Sequence, residues 1–204
     1  MRIQTYSGKQ FWPLNPTAES VDLVDIAHAL SMKCRFNGHC DPFYSVAEHC
    51  VRMVQAARLM NGWHAGTGEA ERRRLALVLL HDAAEAYLPD VPRPIKSALQ
   101  NFEGLEAIVH RCILQALGLV PGDGEVKRAF DSDLSRTQEV IDLLDGQLLA
   151  TEARDLMSEP PQPWDALPPP LPDRIQPWDQ IKAKREYLRT AETLGVRRSA
   201  QRAS

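Results

Sequence analysis

The sequence predicts an all-α fold with one core. Apolar residues recur at three- and four-residue spacing in several separate stretches, and no cluster of alternating β-branched runs occurs anywhere. A chain of 204 residues, 44% hydrophobic and 25% charged, has the length and composition of about one ordinary globular domain. The organisation expected is a helical domain over residues 1–157. A Pro-rich strap, a helix and a frayed tail over 158–204 are expected to pack on the same domain.

The opening stretch mixes Gly8, Pro13 and Pro16 with Phe11 and Trp12 and reads as a turn-rich arm lying against the body, ending near Ser20. From Val21, the residues Leu23, Ile26, Ala27 and Leu30 share one helical face, and Asp22 and Asp25 suit a helix N-terminus. Residues 34–43 carry Gly38 and an Asp41-Pro42 step, so the chain turns there in a loop rich in functional side chains. Ser45 with Glu48 is a capping-box pattern opening a second helix, with Val46, Cys50, Met53 and Ala57 on its apolar face and an end near Met60.

After a Gly-containing break from Gly62 to Gly68, Glu69 and Glu71 lead into a third helix carrying Leu75, Val78 and Leu79 and stopping near Pro89. The next apolar series, Ile95 to Leu117, predicts one helix, bent at Gly104 and stopped by Gly118. A long helix is expected from about Asp131 to Met157, with Leu134, Ile141, Leu144, Leu148 and Leu156 as its stripe. Eight prolines between Ser158 and Pro177 predict an extended strap, anchored where Trp164 packs. A last helix follows from Trp178 to Leu194, and the basic tail Arg197 to Ser204 is expected to fray.

Charge and apolar runs exclude several function classes. With 24 basic against 27 acidic residues and a net charge of -3, nothing draws the chain as a whole toward a nucleic-acid polymer or an anionic membrane. The longest aliphatic run, Leu75 to Leu80, is far short of the roughly 20 residues of a membrane span. The N-terminus lacks a secretory apolar stretch, which predicts a cytoplasmic protein. Cys34, Cys40, Cys50 and Cys112 are then expected as reduced thiols rather than a disulfide framework.

The chemistry centres on His81-Asp82, read here as the middle of an otherwise apolar helix. Adjacent ionisable groups are costly to bury unless something compensates them, and a divalent cation does so. Two further ligand-type side chains fall on apolar faces. His49 lies between Val46 and Met53, and Asp145 between Ile141 and Leu148, so three helices converge on one point. Two imidazoles and two carboxylates suit a borderline or hard metal (Co, Mn, Fe, Ni, Zn or Mg) rather than a soft one. Asp131, Asp133 and Asp142 are neighbouring acids, but helical phase selects Asp145.

Ordered motifs surround this constellation. They are Cys34-Arg35-Phe36-Asn37-Gly38-His39, Phe43-Tyr44-Ser45-Val46-Ala47-Glu48-His49, Leu80-His81-Asp82-Ala83-Ala84-Glu85-Ala86-Tyr87, Asp90-Val91-Pro92-Arg93-Pro94-Ile95-Lys96 and Leu149-Ala150-Thr151-Glu152-Ala153-Arg154-Asp155-Leu156. With them the chain, from about Ile3 to Leu156, resembles the HD-domain metal-dependent phosphohydrolases. Within that family it is most similar to the bacterial and phage branch of YfbR-like 5'-deoxynucleotidases, close to phage-type deoxynucleoside triphosphate hydrolases.

The resemblance implies a helical HD-domain bundle holding one divalent metal ion through His49, His81, Asp82 and Asp145. It implies release of orthophosphate from deoxynucleoside 5'-monophosphates by a metal-bound water, with Glu85 orienting or deprotonating that water and Asp90 protonating the departing nucleoside oxygen. Arg35 and Phe36 match the nucleotide-contacting pair, a bidentate donor beside an aromatic ring, with Lys96 and His39 as further cation candidates. The family spacing to Ala150-Thr151-Glu152 again selects Asp145. Gly146 departs from the larger polar residue often found there and predicts a slightly more open site. Relatives form dimers or larger rings, which predicts a homo-oligomer.

Competing assignments are a deoxynucleoside triphosphate hydrolase, which shares nearly the same motifs, and a non-catalytic nucleotide-binding HD module. A (p)ppGpp hydrolase is disfavoured because Ala86 stands where the HDxxED pattern has its last acid. A dinuclear centre is disfavoured because His110 is the one histidine that follows the His81-Asp82 pair.

Overall fold

Three helices of this chain begin where a short polar side chain is placed to take up an orphan amide. In the computed structural model, which describes residues 1–60, 68–96, 98–120, 127–164 and 167–196 apart from the side chains of residue 93 and of residues 127–133, a short antiparallel pair, β1 (Ile3–Gln4) and β2 (Gln10–Phe11), precedes all helices. The helices are α1 (Leu23–Met32), α2 (Val46–Leu59), α3 (Glu69–Leu79), α4 (Arg93–Lys96), α5 (Phe102–Ala116), α6 (Lys127–Leu156) and α7 (Gln180–Thr193). The fold is all-α, as the periodicity predicts. Asp22 accepts the Val24 amide at 2.8 Å, Ser45 the Glu48 amide at 3.1 Å and Asp179 the Lys182 amide at 2.6 Å, capping α1, α2 and α7.

Helix α2 is the centre of the molecule. Ten of its residues, from Val46 to Ala57, are buried, and it packs against α1, α3, α6 and α7. Burial of most of its surface explains why a polar residue on α2, such as the fully buried His49, must have polar partners. Glu48 has them too, although its carboxylate does not complete the capping box. It accepts Arg52 Nε and Nη2 at 2.9 and 2.7 Å and the Trp178 amide at 2.8 Å, joining α2 to the entry of α7.

The N-terminal arm lies against the body as expected: Asp25 accepts the Ser7 amide and hydroxyl at 2.6 and 2.8 Å, and Phe11 stacks on Tyr87 with centroids 3.9 Å apart. The strap runs along α6, held by the Leu171 amide on Thr151 Oγ1 at 2.8 Å and the Ile175 amide on Asp155 Oδ2 at 2.9 Å. Helix α7 then buries Ala183, Tyr187 and Ala191 in the common core against α1 and α2. Among the described residues, no helix is long and apolar enough to cross a membrane.

Three local expectations need correction. The third helix does not run to Pro89: α3 ends at Leu79, and the chain continues through tight turns into a 3-10 helix, Ala83–Ala86, so His81-Asp82 lies just beyond a helix end. The series from Ile95 to Leu117 is not one helix bent at Gly104. It breaks before Phe102, where Asn101 takes the left-handed conformation (φ 65°), and Gly104 sits inside α5. Gly146 does not open the site, because a Cβ there would meet Pro168 Cγ of the strap at 3.3 Å, so the missing side chain makes room for the strap. Residues 62–67 of the expected break, the side chains of Asp131 and Asp133 and the tail from Arg197 lie outside the described residues.

Candidate metal centre

Helix α3 stops because the last carbonyls before His81 find acceptor roles outside a continuing helix. His81 Nδ1 donates to Val78 O at 2.9 Å, the Tyr187 hydroxyl to Leu79 O at 3.3 Å and His110 Nε2 to Leu80 O at 3.0 Å. Three side chains, two of them from α5 and α7, thus fix the turn that presents His81 and Asp82. Lys33 steadies its far side, donating from Nζ to the carbonyls of Glu85 and, at 2.6 Å, Leu88.

These turns bring together donors from three parts of the chain. One donor atom each from His49, His81 and Asp82 lies within 4.8 Å of the others. His49 Nε2 is 3.3 Å from His81 Nε2 and 3.4 Å from Asp145 Oδ1, and His81 Nε2 is 3.1 Å from Asp82 Oδ2. An ion about 2.0–2.2 Å from each ligand places neighbouring donors roughly 3.0–3.5 Å apart, close to the spacing within the His49, His81 and Asp82 group, where the widest pair, His49 Nε2 and Asp82 Oδ2, is 3.8 Å apart; Asp145 joins from the His49 side.

The tautomers agree. Val78 O only accepts, so His81 carries its proton on Nδ1. His49 Nδ1 lies 2.7 Å from Glu152 Oε1 and donates to that carboxylate. With each Nδ1 so engaged, the two Nε2 atoms face each other across 3.3 Å, the side from which an imidazole binds a cation. Asp82, Asp145 and Glu152 face one guanidinium, Arg35; burial works to lower the His81 imidazole, but Asp82 raises it well above its ordinary value, so that ring and Arg35 are the positive groups an arriving cation joins or replaces. Burial works to raise all three carboxyls, but His81 above all holds Asp82 far below the usual range, His49 does so for Asp145, and Arg35 with His49 lowers Glu152.

Of the residues the sequence proposes, His49, His81, Asp82, Asp145 and Arg35 meet here. Arg35 Nε donates to Glu152 Oε2 at 2.9 Å, with Nη1 3.7 Å from Asp82 and Nη2 3.8 Å from Asp145. Phe36 stands beside it, its ring 5.6 Å from the guanidinium carbon and edge-on to Trp164 at 6.4 Å, so Trp164 does touch the site's rim. Its backbone is in the left-handed region (φ 55°), as are those of Asn37 (φ 51°) and Gly38 (φ 81°), strain of the sort that accumulates at functional loops. His39 ends this loop exposed to solvent, away from the donor cluster.

Glu85 is displaced from its expected position relative to His81. In a 3-10 helix residues three apart eclipse, so Glu85 falls under Asp82 rather than one α-turn from His81. Burial, followed by Asp82 and Asp90, pushes its carboxyl up to about 8, and Oε2 has no hydrogen-bond partner among the described residues. Asp90 sits half-buried past the turn, within the electrostatic reach of Glu85 and Lys33. Lys96 is ion-paired with Glu106 and, with His110, lines a cleft of about 300 Å³ that opens onto His81, Asp82 and Asp145.

Two residues of the centre, Glu152 and Lys33, were missed as functional groups in the sequence. Glu152 lies seven residues after Asp145, two turns along the same face of α6, so helical phase carried its signal. Lys33 carried none, since its partners are 52 and 55 residues away.

No family model matches this chain. It is 33% identical over 165 residues to Uncharacterized protein YfdR of Escherichia coli, covering 81% of this chain and 78% of that protein. It is 40% identical over 95 residues to Uncharacterized protein RCAP_rcc00048 of Rhodobacter capsulatus, covering 46% of this chain and 45% of that protein.

Proposed function

The chain belongs to the family of the Escherichia coli protein YfdR, and from the centre its residues build we propose that it is a metal-dependent phosphohydrolase of the HD-domain type, releasing orthophosphate from deoxynucleoside 5'-monophosphates. The observation that carries this proposal is the convergence of His49, His81, Asp82 and Asp145 with the guanidinium of Arg35 on one small volume beside an open cleft. A metal-ligand set alone would serve storage or structure. A bidentate anion donor sharing its carboxylates suits a reaction on a phosphate ester.

His49, His81, Asp82 and Asp145 hold the ion, and Glu152 and the Val78 carbonyl fix the two rings that face it. When bound, the ion supplies Lewis-acid polarisation of a phosphoryl oxygen and a lowered pKa for water. Arg35 exchanges its long contacts with Asp82 and Asp145 for the phosphoryl oxygens, keeping Glu152 as its anchor. Phe36 packs on sugar or base. Glu85, poised near neutrality in a partly dry pocket, holds or takes up a proton at its unpartnered oxygen, and Asp90 serves the leaving nucleoside oxygen. The proposal includes a cytoplasmic setting, a small nucleotide as substrate and a homo-oligomeric state.

Mass-spectrometric product analysis tests it. Purified protein with Mn or Co is given a panel of ribo- and deoxynucleoside mono- and triphosphates, beside a His81→Ala, Asp82→Ala control. Orthophosphate from deoxynucleoside monophosphates, abolished in the control, is the expected result. Inorganic triphosphate from a deoxynucleoside triphosphate would move the chain to the triphosphohydrolase branch. Product no greater than the control, with nucleotide still bound, would leave a binding module.

A further inference from the structure

The loop that carries Arg35 also holds two thiols for which the centre has no use. Cys34 Sγ and Cys40 Sγ lie 3.5 Å apart, and Cys40 Sγ is 3.6 Å from Arg35 O. Each end of the loop is anchored. Cys34 bridges Ser45 in antiparallel fashion, and Cys40 is buried in a small cluster with Tyr44, Leu156 and Ile175. Between them the chain doubles back, with the Gly38 amide on Arg35 O at 3.1 Å and the His39 amide on Phe36 O at 2.9 Å. Closing 3.5 Å to a disulfide bond of about 2.05 Å asks each sulfur to move roughly 0.7 Å. Cys50 and Cys112 are buried on α2 and α5, outside this loop.

We propose that Cys34 and Cys40 form a reversible dithiol–disulfide site, oxidised by a peroxide, whose bond latches the Arg35 loop. Cys34 is the more exposed of the two, and burial, then the contact with Cys34, pushes the Cys40 thiol up to about 11, so Cys34 meets the oxidant first. Its sulfur attacks one peroxide oxygen, the O–O bond breaks, and one water leaves as Cys34 becomes a sulfenic acid. Cys40 sulfur then attacks Cys34 sulfur, the S–O bond breaks, and a second water leaves. The two thiols give up two electrons and two protons, and the peroxide takes them. An external dithiol reverses the step by exchange.

The full chain is treated with hydrogen peroxide, mapped by mass spectrometry without reduction, and compared with the reduced protein by amide hydrogen exchange. The expected result is loss of about 2 Da in a peptide spanning residues 34–40, restored by dithiothreitol, with exchange at Gly38 and His39 slowed by about threefold or more. Cys34→Ser and Cys40→Ser should each abolish both changes. Oxygen addition at Cys34 without a cross-link overturns the proposal, as does a bond to Cys50, Cys112 or a second chain. So does a 34–40 bond that leaves loop exchange unchanged. None of these readouts uses hydrolysis, so failure here is separate from failure of the phosphohydrolase assignment.

Discussion

Glu152 has no exposed surface, and its two oxygens are divided between His49 Nδ1 and Arg35 Nε. It therefore sets both the ring that faces the ion and the cation that faces the ester. Glu152→Gln keeps the shape and removes the charge, and we expect metal affinity to fall about 10- to 100-fold, read by calorimetric titration with Mn. Unchanged affinity would mean that packing alone orients His49. Glu85 makes a second expectation at this scale. Its carboxyl titrates near 8 instead of its ordinary 4.5, raised by burial and then by Asp82 and Asp90. The native protein thus holds an extra proton between those values, so this group's contribution to stability is complete at low pH and is lost as pH rises toward 8. Glu85→Gln should remove that slope from urea-unfolding free energies measured in chelator between pH 5 and 8. Parallel pH profiles for wild type and variant would show that Glu85 titrates at its ordinary value.

Among elements, the pairing of α6 with the strap bears the most specific expectations. An Ala for Gly exchange inside a helix usually stabilises by about 1 kcal/mol. At Gly146 the new Cβ would press on Pro168 Cγ at 3.3 Å, so Gly146→Ala should return less than half of that gain in urea unfolding. A full gain would show that the strap yields freely. Asp155 works from the other end. Burial opposes its charge, yet hydrogen bonds from Arg154, the Ile175 amide and Arg174 hold it down to about 2. Asp155→Ala should cost about 1–3 kcal/mol and open residues 158–177 to limited proteolysis, whereas resistance to protease would assign the strap's attachment to Thr151 and Arg154. The legibility of these elements follows from the range of the forces that make them. His49 and Asp145 were visible because each interrupts an apolar stripe within its own helix. The end of α3 was not visible, since Leu75 to Leu80 reads as helix throughout and the groups that halt it, Tyr187 and His110, lie 108 and 30 residues away from the carbonyls they cap. Glu85 was misplaced for the same reason: its phase depended on whether an α-turn or a 3-10 turn followed Leu80.

For the whole molecule, the ion is expected to act as a clamp between α2, the turn after α3 and α6. A ligand at 100 times its dissociation constant stabilises the native state by about 2.7 kcal/mol. Chelation should therefore lower the melting temperature by several degrees and Mn or Co should restore it. The His81→Ala, Asp82→Ala variant should not respond to either, and an equal response from it would place the stabilising ion elsewhere. The capping of Leu79 by Tyr187 has a consequence in time as well as in space. His49, His81, Asp82 and Asp145 are all synthesised before the ribosome reaches α7, yet the hydroxyl that helps to shape the turn bearing two of them arrives only with residue 187. A nascent chain carrying all four of those residues still lacks that support, so the shape of the turn waits on the synthesis of α7.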